Sequence, residues 1–143
     1  MRWENSIDIF RSVPDVFDFV TDANGGTRWH RANIITPISP EPIRLGSTYR
    51  VSGKFLFWHL DSVSEVTKYE LNRLVTYRSD AGMYTYELRY ILEPIPGGTR
   101  FTEIGEADPK GFLRLMIKLI MGGANQNSLQ GLKMLKDILE MQK

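Results

Sequence analysis

The chain has no cysteine, which excludes disulfides, thiolate catalysis and thiolate metal sites. That absence suits a reducing cytosol, and a cytoplasmic location is expected. Histidine is scarce: His30 and His59 are the two present. Neither belongs to an H-x-x-x-H or H-x-E pair, so no metal site and no cofactor are expected. Charge of neither sign dominates, with 18 Lys and Arg against 17 Asp and Glu in 143 residues, a net charge of +1. With no basic stripe or acidic tail, nothing recruits nucleic acid by charge. Long hydrophobic runs are also missing. The longest, Phe112 to Met121, is too short to span a bilayer and contains Arg114 and Lys118, so stable membrane insertion is not expected. The first residues, Met1 to Ser6, lack the apolar core of a signal peptide. No nucleophile motif or paired-Asp constellation occurs. The glycine pairs at 25–26, 97–98 and 122–123 lack the strand–loop–helix setting that cradles phosphate.

What remains is an ordinary globular composition, 42% hydrophobic and 24% charged, and a single domain over residues 1–143 is expected. Trp3 to Arg11 alternates, with Trp3, Asn5, Ile7 and Ile9 on one face, and predicts a strand. Ser12-Val-Pro-Asp15 predicts a helix start, with Ser12 as N-cap and Val13, Val16, Phe17 and Val20 at helical spacing. A second helical turn is expected near Thr27 to His30. Six strands then follow. They lie at Ile34–Thr36, Ser47–Phe57, Leu60–Tyr69, Leu74–Ser79, Met83–Glu93 and Thr99–Ala107. In the second of these Tyr49, Val51, Gly53, Phe55 and Phe57 share a face; a hairpin is expected at Trp58-His59. Val63, Val66 and Tyr69 break alternation in the next, which predicts a bulge. The short turns between strands predict an antiparallel meander.

The last third is the one long stretch with helical periodicity. Asp108-Pro109 has the form of an N-cap and first helical residue, and a helix from Pro109 to Leu139 would reach ~45 Å. A domain of this size has a radius of gyration of ~14 Å, so the helix spans the molecule or bends at Gly122-Gly123. Leu129, Leu132, Leu135 and Leu139 form its expected core anchor. Phe112 to Met121 is apolar on nearly every side and is expected to roof a cavity; a homodimer contact or a lipid surface is the alternative use.

Several segments, in order along the chain, resemble the START and pollen-allergen superfamily, most closely its polyketide cyclase/dehydrase (SRPBCC) branch. They are Ile7 to Asp22, Trp29-His30, Leu45-Gly-Ser-Thr-Tyr49, Glu65 to Ser79 with its Tyr69 and Tyr77-Arg-Ser79, and Tyr90-Ile-Leu-Glu-Pro-Ile-Pro-Gly-Gly-Thr-Arg-Phe-Thr102. The resemblance implies an α+β helix-grip fold: a seven-stranded antiparallel curved sheet wrapped around a long C-terminal helix, with two short helices after strand 1. It also implies a cavity for lipids, polyketides, quinones or similar molecules, with cyclisation or dehydration catalysed in some members. The helix centre departs from the charged pattern frequent there and is Gly122-Gly-Ala-Asn-Gln-Asn127.

An unusual number of inward-facing tyrosines suits an apolar ligand carrying a few oxygens; tight filling of the interior by the same rings is the alternative. The expected ligand-binding residues are Tyr49, Val51, Phe55, Tyr77, Tyr84, Tyr86, Leu88, Glu103, Ile117, Met121, Ala124, Asn125 and Ser128, with Asn5 adding a polar contact from the first strand. Glu103 and His30 are the weak catalytic candidates. If Glu103 follows the parity of Phe101 it points inward, and a buried carboxylate has its pKa raised; if Ile104 points inward, Glu103 is exposed or pairs with Arg89. The expected function is binding of a small hydrophobic ligand. A polyketide cyclase/dehydratase-type enzyme and a protein-interaction module built on the apolar helix segment are the alternatives.

Overall fold

A computed structural model describes residues 2–22, 29, 33–40, 42–55, 58–80, 84–109 and 117–141. At 33–34, 53–55, 58–60, 84, 109 and 117–124 it describes backbone alone. The elements are β1 (Arg2–Ile9), α1 (Val13–Thr21), β2 (Asn33–Pro37), β3 (Thr48–Phe55), β4 (Trp58–Glu70), β5 (Leu74–Asp80), β6 (Tyr84–Ile95), β7 (Gly98–Pro109) and α2 (Ile117–Met141). The second short helix expected near Thr27 to His30 lies outside the described residues except for Trp29, which is helical.

The strands form one seven-stranded sheet, β1-β7-β6-β5-β4-β3-β2, with every neighbouring pair antiparallel. Together with the C-terminal helix this is the α+β helix-grip architecture. The six strands from β2 to β7 are a meander, and β1 closes on β7, so the chain's first strand lies beside its last. At the β6–β7 hairpin Gly97 takes φ +79°, a conformation open to glycine at little cost.

α1 begins as its sequence predicts. The Ser12 side chain accepts a hydrogen bond from the Asp15 amide at 3.3 Å. Its buried residues, Val16, Phe17 and Val20, pack over the sheet, where Phe17 meets Tyr69 edge-on. α2 buries a stripe of Ser128, Leu132, Leu135 and Leu139. Leu129 is not part of that anchor: it is 45% exposed. At 3.6 residues per turn it stands about a quarter-turn away from the stripe. Two side chains pin the helix's C-terminal end. Arg11 donates to the Leu139 carbonyl at 2.7 Å, and Lys136 donates to the Asp8 carbonyl at 2.6 Å. These bonds set which turn of α2 lies over which row of β1.

Two local expectations change. Asp108 and Pro109 do not open the terminal helix; they end β7, opposite Thr85 and Tyr84. A proline is tolerated at a strand end, where a missing N–H costs no ladder bond, and the Asp-Pro signal suits either place. The β3–β4 hairpin pairs Phe55 with Trp58, and His59 is within β4 opposite Lys54, so the turn precedes Trp58-His59. The bulge in β4 is present, between Val66 and Lys68. Upstream of it Val66, Ser64 and Ser62 are buried, whereas Val63 is 51% exposed. The helical state of α2 runs unbroken through Gly122-Gly123.

Candidate functional site

The ladder fixes which residues share the sheet's inner face. One row across it is Trp3, Gly105, Leu88, Tyr77 and Val66; the next is Asn5, Glu103, Tyr90 and Val75. On the far side of the first lies Ala107, Tyr86, Ser79, Ser64 and Tyr49. Burial changes sharply along this face. Ile9, Thr99, Phe101, Leu92, Tyr90 and Val75 are buried. Leu88, Tyr77, Tyr86, Ala107, Val51 and Ile35 point the same way and are only half-buried. The interior thus has a packed end and an accessible end.

Aromatic rings run along the boundary between the two ends. Trp29 is 1% exposed and packs on Phe101 and Tyr90, with ring centroids 5.9 and 5.7 Å away. Tyr90 meets Tyr77 at 5.5 Å, and Tyr77 meets Tyr49 at 6.2 Å. A Cβ on Gly131 of α2 would come within 3.2 Å of the Trp29 carbonyl, so that glycine lets the helix seat against Trp29.

Glu103 sits at the same boundary. It follows the parity of Phe101 and is 4% exposed. Arg89 lies on the outer face, opposite Ile104, and pairs with Glu87 at 3.4 Å. The Trp3 indole Nε1 donates to Glu103 Oε1 at 3.4 Å, while Oε2 has no hydrogen-bond partner among the described residues. Gly105 makes the Trp3 contact possible: a Cβ there would fall 2.1 Å from the indole ring, which lies directly over it. Burial raises the Glu103 pKa above the ordinary carboxylate value, and hydrogen bonds from Ser128 and Trp3 act against that shift. Burial also pushes the Tyr90 hydroxyl well above 10, reinforced by the charge of Glu103 and by Tyr77 and Tyr86, so Tyr90 stays neutral.

Asn5 connects this cluster to α2. Its Nδ2 donates to Asn125 Oδ1 at 3.1 Å and to Ser128 Oγ at 3.0 Å. Tyr49, Val51, Tyr77, Tyr86, Leu88, Glu103, Asn125 and Ser128 therefore come together on or over the inner face. Phe55, Tyr84, Ile117, Met121 and Ala124 have no described side chains, His30 lies outside the described residues, and so does the apolar stretch from Phe112 up to 116, its remainder to Met121 being described as helical backbone alone. Sequence patterning missed an inner polar strip of Ser62, Ser64 and Ser79, in which the Ser64 and Ser79 hydroxyls hydrogen-bond to each other. Register with Tyr77 and Tyr49 was the available signal, and the bulge after Val66 hid it by shifting the parity set by Tyr69.

The model of the family described as polyketide cyclase/dehydrase and lipid transport matches residues 2–135. This chain belongs to that family. No curated protein sequence matches it. Among solved structures it is similar to TTHA0849 from Thermus thermophilus, at 17% identity and a TM-score of 0.82, with 97% of each chain covered. It is also similar to MLL2253 from Mesorhizobium loti, at 16% identity and a TM-score of 0.77, covering 100% of this chain and 99% of that one. Ara h 8.0201 matches at 13% identity and a TM-score of 0.72, with 97% of each covered. Likeness at these identities establishes the fold. Among the described residues no helix is long and apolar enough to cross a membrane.

Proposed function

We propose that this family member is a cytoplasmic binding protein for a small hydrophobic or aromatic molecule of lipid, polyketide or quinone type, held between the sheet and α2. The carrying observation is the half-buried state of Val51, Tyr77, Tyr86 and Leu88 on a face that is sealed two rows away. Apolar area left accessible on the sheet's inner face is available to a ligand at roughly 25 cal/mol per Å² covered. The described polar groups of this face lie in two patches, Asn5, Glu103, Asn125 and Ser128 at one and Ser62, Ser64 and Ser79 at the other, which suits orientation of a largely apolar molecule. Family membership supports the same reading.

Titration with an apolar fluorescent probe, alongside native mass spectrometry for a co-purifying molecule, tests it. One saturable interior site is expected, weakened when Leu88→Trp fills the wall. Absence of saturable binding by any apolar probe would overturn the proposal.

A cyclase or dehydratase activity is the second reading, favoured by the buried Glu103 with its unpartnered Oε2. Consumption of an enolisable polyketone by the wild-type chain, and not by Glu103→Gln, supports it. Binding without consumption supports the first reading.

A further inference from the structure

Two of the side chains around Glu103, Trp3 and Asn5, have their N–H donors already engaged. Trp3 Nε1 donates to Oε1. Asn5 Nδ2 donates to Asn125 Oδ1 and to Ser128 Oγ. Among the described residues no donor is aimed at the buried Oε2, and Glu103 belongs to none of the ion pairs. A buried carboxylate without a counter-charge is costly, and a cation supplied with its own N–H donors removes most of that cost. One carboxylate supplies too few ligands for a divalent metal, whereas a single ammonium satisfies Oε2 directly. The surrounding rings are also suitable, since Tyr90 flanks Glu103 on β6 and Tyr77 packs on Tyr90, and aromatic faces attract ammonium groups.

We propose that the ligand is an amine: an apolar or aromatic body lying on Leu88, Tyr77 and Tyr86, with a primary or secondary ammonium donating to Glu103 Oε2. This rests on the interior-site reading above and specifies its ligand. The groups facing Glu103 are Trp3 and Asn5 from β1, Tyr90 and Tyr77 from the sheet centre, and Asn125 and Ser128 from α2. Burial holds the Tyr90 hydroxyl in its neutral form, so among these described groups Glu103 is the one that answers the ammonium.

Naphthylmethylamine, its alcohol isostere naphthylmethanol and a methyl naphthyl ketone are titrated against the wild-type chain and Glu103→Gln by calorimetry. In the wild type the amine binds about tenfold or more tighter than the alcohol, the scale of a charge-assisted hydrogen bond. In Glu103→Gln the amine-to-alcohol ratio falls towards unity, whatever happens to the absolute affinities. Amine affinity in the wild type also rises with pH as Glu103 ionises, a readout that remains if the variant does not fold. Equal binding of amine and alcohol, or tightest binding of the ketone, overturns the amine assignment and leaves the interior site standing. If none of the three binds, both readings fall.

Discussion

Burial and hydrogen bonding pull Glu103 in opposite directions, and burial prevails, since its pKa is raised from 4.5. The consequence for stability has a definite sign. Below the unfolded value both states hold the proton and the residue costs nothing. As pH rises through the folded pKa, the unfolded chain has already ionised and the folded form loses relative stability. Glu103→Gln does not titrate. Its melting temperature relative to wild type is therefore expected to climb as pH rises above the ordinary carboxylate range, measured by thermal scans across buffers; a flat difference would mean that Glu103 ionises in the fold as freely as outside it. Trp3→Phe removes the donor to Oε1, so Glu103 should titrate at still higher pH, followed by its side-chain carbonyl NMR shift. Gly105→Ala forces Trp3 off β7 and is expected to cost about 1–3 kcal/mol in urea denaturation. The direction of Glu103 was not legible from its own strand, because Phe101 and Ile104 place apolar residues in both parities. Pairing with Asn5 and Tyr90, a long-range matter, decides it.

At the scale of elements, local chemistry was legible where one physical cause acts alone. Ser12 caps α1 as its neighbours predict, and Ser12→Ala is expected to lose about 1 kcal/mol. Where two solutions satisfy the same residues, local patterning favours the wrong one. Asp108-Pro109 fits a helix start, but extending β7 to the length of β6 gains ladder bonds that the local signal does not contain. Leu129 belongs by type with the leucines of α2 but not by angle. The two positions make a direct comparison: Leu135→Ala should cost about 2–5 kcal/mol, and Leu129→Ala within about 0.5 kcal/mol. Equal losses would place Leu129 back in the core.

The whole molecule is a sheet whose first and last strands are neighbours, with a helix laid along them. That arrangement was legible because the meander's short turns and the single long helical pattern leave few alternatives. The division of its interior was less so, since a residue's facing direction does not reveal whether anything covers it. Tyr90 and Tyr77 are alike in sequence terms, yet Tyr90 is sealed by Trp29 and Phe101 while Tyr77 is half-buried. The accessible end, bounded by Glu103, Asn5 and Ser128, is the basis of the functional reading. Residue-resolved NMR of the labelled protein during titration with an apolar naphthyl probe tests that reading most directly. Saturable shifts are predicted at Val51, Tyr77, Tyr86, Leu88, Glu103 and Ser128. Shifts confined to exposed apolar residues such as Val63, Leu71 and Met141, or none at all, would contradict it.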